Sequence, residues 1–191
     1  METISKKKLF AGPVVAAVRE LKDIEEVVGS SVSSVFFLTG DILNLKESVK
    51  YVQDKGKYAF IHIDLIKGLG KDEMAIEYIS KEIKPAGIIT TRGNLVSSAR
   101  KNNLISIQRL FVLDTLSLAT GIEQVKASKP DYVEVLPAII PRVIIELKQE
   151  LPFPIIAGGL VKTENDVQVI LKAGAVAVSS SRKDLWRYRR E

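Results

Sequence analysis

Four short apolar runs carry polar side chains that could do chemistry together. His62 and Asp64 stand two apart in Tyr58–Asp64, so they share a strand face with Phe60. Ala59, Ile61 and Ile63 take the other face, which suits packing against helices and turns His62 and Asp64 inward. The same reasoning turns Ile88, Thr90 and Arg92 together, then Ser106 and Gln108, then Glu134. Arg109 follows Gln108 and could bend into the same mouth. Carboxylates beside arginines and a histidine suit two tasks: acid–base or metal chemistry, or the holding of a hydroxylated, charged ligand. The competing account is a salt-bridge layer that satisfies itself, because buried charge must be paired. A lone histidine also serves commonly as a hydrogen-bonded core residue.

A second group points to an anion. One run ends in Ala157-Gly158-Gly159, another in Ser179-Ser180-Ser181-Arg182. Glycines let backbone N–H groups approach an anion, serine hydroxyls add donors, and Arg182 would add charge-assisted bonds. The plain alternative is that Gly158-Gly159 makes only a tight turn.

Eight elements would position these groups. Strands are read at Val14–Ala17, Ser34–Leu38, Tyr58–Asp64, Ala86–Thr90, Ile105–Leu110, Tyr132–Leu136, Pro154–Ala157 and Ala175–Ser179. They begin about 19 to 28 residues apart, the rhythm of repeated strand–helix units. Between them lie amphipathic stretches with helix punctuation. Ser48–Lys55 ends at Gly56, and Thr163-Glu164-Asn165-Asp166 opens a helix that closes at Gly174. The expected fold is therefore a compact (β/α)8 barrel of parallel strands, one domain over residues 1–191. The chain is short for that fold, so helices and loops must be small. A doubly wound open sheet is the runner-up, weakened by the lack of a glycine-rich dinucleotide fingerprint. In a barrel the working site lies at the C-terminal ends of the strands, and phosphate commonly binds after strands seven and eight. The glycine pair and the serine cluster fall in those two units.

Composition narrows the class. The 191 residues are 46% hydrophobic and 27% charged, as in a folded globular chain. No apolar run approaches the roughly 18 residues of a membrane span, and no apolar core follows the basic start Met1–Lys8, so no membrane partner and no secretory leader are expected. The absence of cysteine excludes disulfides and thiolate zinc sites and suits a cytoplasmic protein. The net charge of +5 fits nucleic acid, phosphorylated metabolites, or mere solubility. Trp186-Arg187-Tyr188-Arg189-Arg190 reads either as an RNA contact or as a last helix with Trp186 packed on the barrel. No P-loop, HExxH or GxSxG motif is present.

In order along the chain, residues 62–68 (HIDLIKG), 83–92 (IKPAGIITTR), 107–115 (IQRLFVLDT), 129–137 (KPDYVEVLP), 157–159 (AGG) and 173–178 (AGAVAV), with Leu185-Trp186 behind them, resemble one family. It is the glycerol uptake operon antiterminators, regulators responsive to glycerol 3-phosphate. The resemblance implies a regulator rather than an enzyme, with no cofactor. Its effector is glycerol 3-phosphate, its partner an mRNA leader whose premature termination it prevents, and a homo-oligomer stays open. The ligand set expected is His62, Asp64, Arg92, Gln108, Arg109, Glu134, Gly158, Gly159, Ser180, Ser181 and Arg182, with no metal. Ala138 stands where the family suggests glycine, Gly93 where serine is common, and Arg182 where asparagine is common. Arg182 would thus strengthen anion binding or change which ester is preferred. The alternative from another class is a barrel enzyme acting on a small phosphorylated glycerol or triose compound, with Asp64 and Glu134 as acid and base or as metal ligands.

Overall fold

The structure, a computed structural model, describes residues 6–189. In chain order its elements are α1 (Lys6–Leu9), β1 (Val14–Val18), α2 (Ile24–Val28), β2 (Ser34–Phe37), α3 (Leu45–Asp54), β3 (Tyr58–His62) and α4 (Glu73–Tyr78). There follow β4 (Gly87–Thr90), α5 (Gly93–Lys101), β5 (Ile105–Phe111), α6 (Thr115–Ser128), β6 (Tyr132–Leu136), α7 (Pro141–Glu150), β7 (Ile155–Gly158), α8 (Glu164–Lys172) and β8 (Ala177–Ser180). The eight strands pair in parallel, each with its sequence neighbour, and β8 returns to β1 to close the barrel. The expected (β/α)8 architecture is met.

Local chemistry sets the elements. Asp114 caps α6 by accepting from the Ser117 amide at 2.7 Å, and Thr163 caps α8 by accepting from the Asp166 amide at 3.1 Å. Pro141 opens α7, where a missing N–H costs nothing. In α3, Leu45, Val49 and Val52 fall on one stripe and are buried against the sheet.

Two cores result. The outer one lies between strands and helices. The inner one fills the lower barrel with Val15, Phe36, Phe60, Ile89, Ile107, Tyr132, Ile156 and Ala177. Phe10 stops the N-terminal end, stacked on Phe60 at 5.8 Å and edge-on to Tyr132 at 4.9 Å. With the bottom packed among the described residues, the cavity in the interior lies at the C-terminal mouth.

Several boundaries and two faces differ from expectation. Strand β3 stops at His62, and Asp64 lies in a 3₁₀ turn, Ile63–Leu65. Strand β8 begins at Ala177 rather than Ala175. In β4 it is Ile89 that points inward, while Ile88 packs on the helices. In β5 Ile107 and Arg109 point inward, whereas Gln108 points out: its Oε1 accepts a hydrogen bond from Ser128 of α6. Both faces of these strands are buried, so alternation of apolar residues gives no sign for the inner face.

Candidate functional site at the barrel mouth

Arg109 and Glu134 are register partners on β5 and β6, so both side chains enter the barrel at one level. Arg109 Nε donates to Glu134 Oε2 at 2.7 Å, and Ser179 Oγ donates to Glu134 Oε1 at 2.6 Å. With Glu134 only 1% and Arg109 7% exposed, the pair is a buried, hydrogen-bonded ion pair. His62, 2% exposed, lies nearby. Burial first, then the Arg109 guanidinium, push its imidazole down to about 4, so it is neutral at pH 7. Its Nδ1 stands 3.9 Å from Asp64, beyond hydrogen-bond reach, and lacks a hydrogen-bond partner.

Asp64 works on the neighbouring turn. It accepts from the Thr91 amide at 2.8 Å, Thr91 Oγ1 at 3.0 Å and Thr90 Oγ1 at 3.1 Å, and Arg92 Nε lies 3.7 Å away. The carboxylate therefore ties the 3₁₀ turn after β3 to the turn between β4 and α5.

Above the Arg109–Glu134 pair opens a cavity of about 230 Å³. Its walls include Ala17, Arg19, Leu38, Leu136, the loop Gly159-Leu160-Val161 and Ser179-Ser180-Ser181. Gly158 is required beneath it, because a Cβ there would stand 2.1 Å from Ser179 Oγ. Gly159 has φ +81°, which glycine adopts freely. Trp186 is buried, and its Nε1 donates to the Ser180 carbonyl at 2.8 Å, anchoring the chain after β8 against the barrel. Arg190, the last of the basic group there, lies outside the described residues.

Of the expected site residues, Arg109, Glu134, Gly159, Ser180 and Ser181 line this cavity. His62 and Gly158 stand beside the lining groups, and Asp64 with Arg92 forms the adjoining cluster. Two residues are placed elsewhere. Gln108 faces α6, because β5 turns Ile107 and Arg109 inward. Arg182 turns back to Asp184, donating from Nε at 3.1 Å and from Nη2 at 2.7 Å, and does not line the cavity. The sequence reading missed Arg19, and it gave the hydroxyl of Ser179 to an anion where the structure gives it to Glu134. Arg19 stands directly after β1, the position where a barrel puts working residues, and unlike Arg182 it has no ion-pair partner among the described residues. Ser179 shares the inward face of β8 with Ala177.

Among the described residues no three His, Asp or Glu side chains gather as metal ligands, and no helix is long and apolar enough to cross a membrane.

A closed parallel barrel with a small cavity of mixed polar and apolar lining at the rim of β7, β8 and β1 defines a class of fold with room for a compact ligand at its mouth. The chain belongs to the glycerol-3-phosphate responsive antiterminator family, whose model matches residues 14–186. It is similar to the glycerol uptake operon antiterminator regulatory protein of Listeria monocytogenes, at 36% identity and TM-score 0.88, with 96% of each chain covered. A glycerol uptake operon antiterminator-related protein of Thermotoga maritima is also 36% identical, with TM-score 0.83, over 93% of this chain and 99% of that one. The uncharacterized protein YgcP of Escherichia coli (strain K12) is 34% identical over 178 residues, 93% of either chain.

Proposed function

We propose that this protein senses glycerol 3-phosphate in the mouth cavity and, when loaded, binds the leader of glycerol-utilisation transcripts and prevents their premature termination. The observation that carries this reading is the cavity itself, where three serines, the Gly159 turn and Arg19, which has no ion-pair partner among the described residues, converge at the β7–β8 rim of a chain from this family. Its roughly 230 Å³ lies below the range of about 300–1,000 Å³ usual for drug-sized ligands and suits a three-carbon ester.

The charges favour binding a dianion. Arg109 and Glu134 offset each other, and Arg182 is offset by Asp184, so Arg19 supplies the net positive charge at the cavity wall. The phosphate sits by Arg19, Ser180, Ser181 and Gly159, and the glycerol end points toward Arg109, whose Nη groups remain as donors beyond the bond to Glu134.

The same arrangement argues for a regulator rather than an enzyme. Both Glu134 oxygens are occupied, Asp64 is spent on the turn, and His62 lacks the carboxylate contact that would make it a ready base. A regulator of transcripts works in the cytoplasm, where RNA is made. The test is titration with glycerol 3-phosphate, glycerol and inorganic phosphate, followed by RNA, with turnover monitored throughout. The ester should bind far more tightly than glycerol and stay unchanged. Equal affinity for glycerol, or consumption of the ester, would overturn the reading.

A further inference from the structure

A trench leads away from the mouth cavity. Arg109 walls that cavity and also lines a second hollow, about 460 Å³, between the end of β5 and the first turns of α6. Thr91 and Gln124 are in turn shared between this hollow and a third, about 610 Å³, between the first turn of α5 and the last turns of α6. The three hollows share lining residues in turn and so follow one another from the mouth cavity, over the rim, to the cleft between α5 and α6.

Its chemistry is that of a polymer site. In the middle stands Phe111, an aromatic that is 52% exposed at a strand end. The outer stretch offers carboxamides from Asn94 and Gln124, hydroxyls from Ser97 and Ser128, and the Arg92 guanidinium. The one carboxylate in the two outer hollows, Asp114, is committed to capping α6, and its bonds to Ser117 hold its pKa below the usual carboxylate value. Past Ser128, exposed Arg100 donates to the Lys129 carbonyl at 3.2 Å, and neither Arg100 nor Lys129 has a carboxylate partner among the described residues. An open aromatic face, amides that read base edges, and Arg100 and Lys129, which have no carboxylate partner among the described residues, together fit an unpaired polynucleotide, although Arg92 also lies 3.7 Å from Asp64. One base stacks on Phe111, and phosphates pass Arg92 and Arg100. A duplex keeps its bases stacked inside and could use none of the first two features.

We infer that this trench, from Phe111 to Ser128, holds single-stranded RNA, and that Arg109 is the wall common to ligand and RNA. The inference rests on the regulator reading above and adds its contact surface. It also supplies a coupling route. A ligand that draws on Arg109 alters the wall of the trench, and Asp64, beside His62, holds the Thr91–Arg92 turn that shapes the outer hollow.

The experiment uses the full chain and an RNA selected by it from a randomised single-stranded pool in the presence of glycerol 3-phosphate. Phe111→Ala and Gln124→Glu change exposed side chains, so the fold is spared. Val169→Ala truncates an exposed residue on α8 as a control. Phe111→Ala should weaken RNA binding about 5- to 150-fold, the worth of one stacked base. Gln124→Glu should weaken it further by repelling phosphates, and Val169→Ala should leave it unchanged. Glycerol 3-phosphate should bind all three variants as it binds the parent. If the parent selects no RNA, both the inference and the regulator reading fall. If it selects RNA that Phe111→Ala and Gln124→Glu bind as well as the parent does, the trench assignment falls and the regulator reading stands. An equal loss of RNA and metabolite affinity would place the effect in the mouth and overturn a separate RNA trench.

Discussion

Gly158→Ala probes the floor of the cavity with a single methyl group. The added Cβ would lie 2.1 Å from Ser179 Oγ, 3.2 Å from Glu134 Oε1 and 3.3 Å from the Ser179 carbonyl. Ser179 must rotate, and Glu134 Oε1 then loses the hydroxyl that donates to it at 2.6 Å. Overpacking of this kind costs about 1–3 kcal/mol. A hydrogen bond to a buried charge is worth about 1.5–3 kcal/mol. The variant should therefore lose about 2.5–6 kcal/mol, or about 5–24 °C in Tm for a chain of this size. Ser179→Ala loses the hydrogen bond alone, about 1.5–3 kcal/mol. In the double variant the clashing oxygen is gone, so its cost should stay near that of Ser179→Ala and fall well short of the sum. Urea unfolding of the parent, both single variants and the double variant completes the cycle. Additive costs would refute the packing argument, and with it the reason for glycine at position 158.

Three further predictions concern charge. Arg19→Gln should weaken glycerol 3-phosphate binding at least tenfold in calorimetry, whereas Arg182→Gln, which removes a guanidinium already paired with Asp184, should change it little; the reverse order would move the anion site. Ser180→Asp should abolish ester binding by setting a carboxylate against the phosphate while circular dichroism and Tm report a folded chain; retained affinity would place the cup elsewhere. His62 is held neutral, with its folded pKa lowered from 6.5 to about 4. As pH falls below 6.5 the unfolded chain gains a proton that the folded chain refuses, so stability drops until pH is about 4 and then levels for this group. The drop is about 3 kcal/mol at 1.36 kcal/mol per pKa unit, and His62→Gln should remove that part of the acid destabilisation between pH 7 and pH 4.5. An unchanged pH profile in the variant would show that His62 is not the group responsible.

The barrel was legible because its strands are short runs buried on both faces, punctuated by caps such as Thr163 and stops such as Gly174. That same burial concealed which face points inward. In β4 and β5 apolar residues occupy both faces, so Gln108 was expected in the mouth although it bonds to Ser128 outside, and Arg109 holds the inner position through its pairing with Glu134. The glycine–serine rim could be placed because barrel topology puts the seventh and eighth loops together. Choices of partner escaped. Arg182 is neutralised by a residue two positions on, in a turn that no spacing rule predicts. Asp64 reached the expected end of the barrel but turned to cap the Thr91 amide, because β3 ends at His62. Arg19 was within reach of the same topological rule, since closure of the barrel sets the loop after β1 beside the loop after β8.

The central claim is that ligand and RNA are read by one molecule through a shared wall. Coupling of about 1–3 kcal/mol between two sites corresponds to roughly 5- to 150-fold in affinity and is reciprocal by thermodynamic necessity. The most direct test is the dissociation constant of glycerol 3-phosphate, measured by calorimetry without RNA and again with saturating selected RNA, at one fixed salt concentration. A shared wall predicts a constant tightened by that factor, matched by an equal tightening of RNA binding when the metabolite is present. A metabolite constant that does not move while the RNA is demonstrably bound would contradict it.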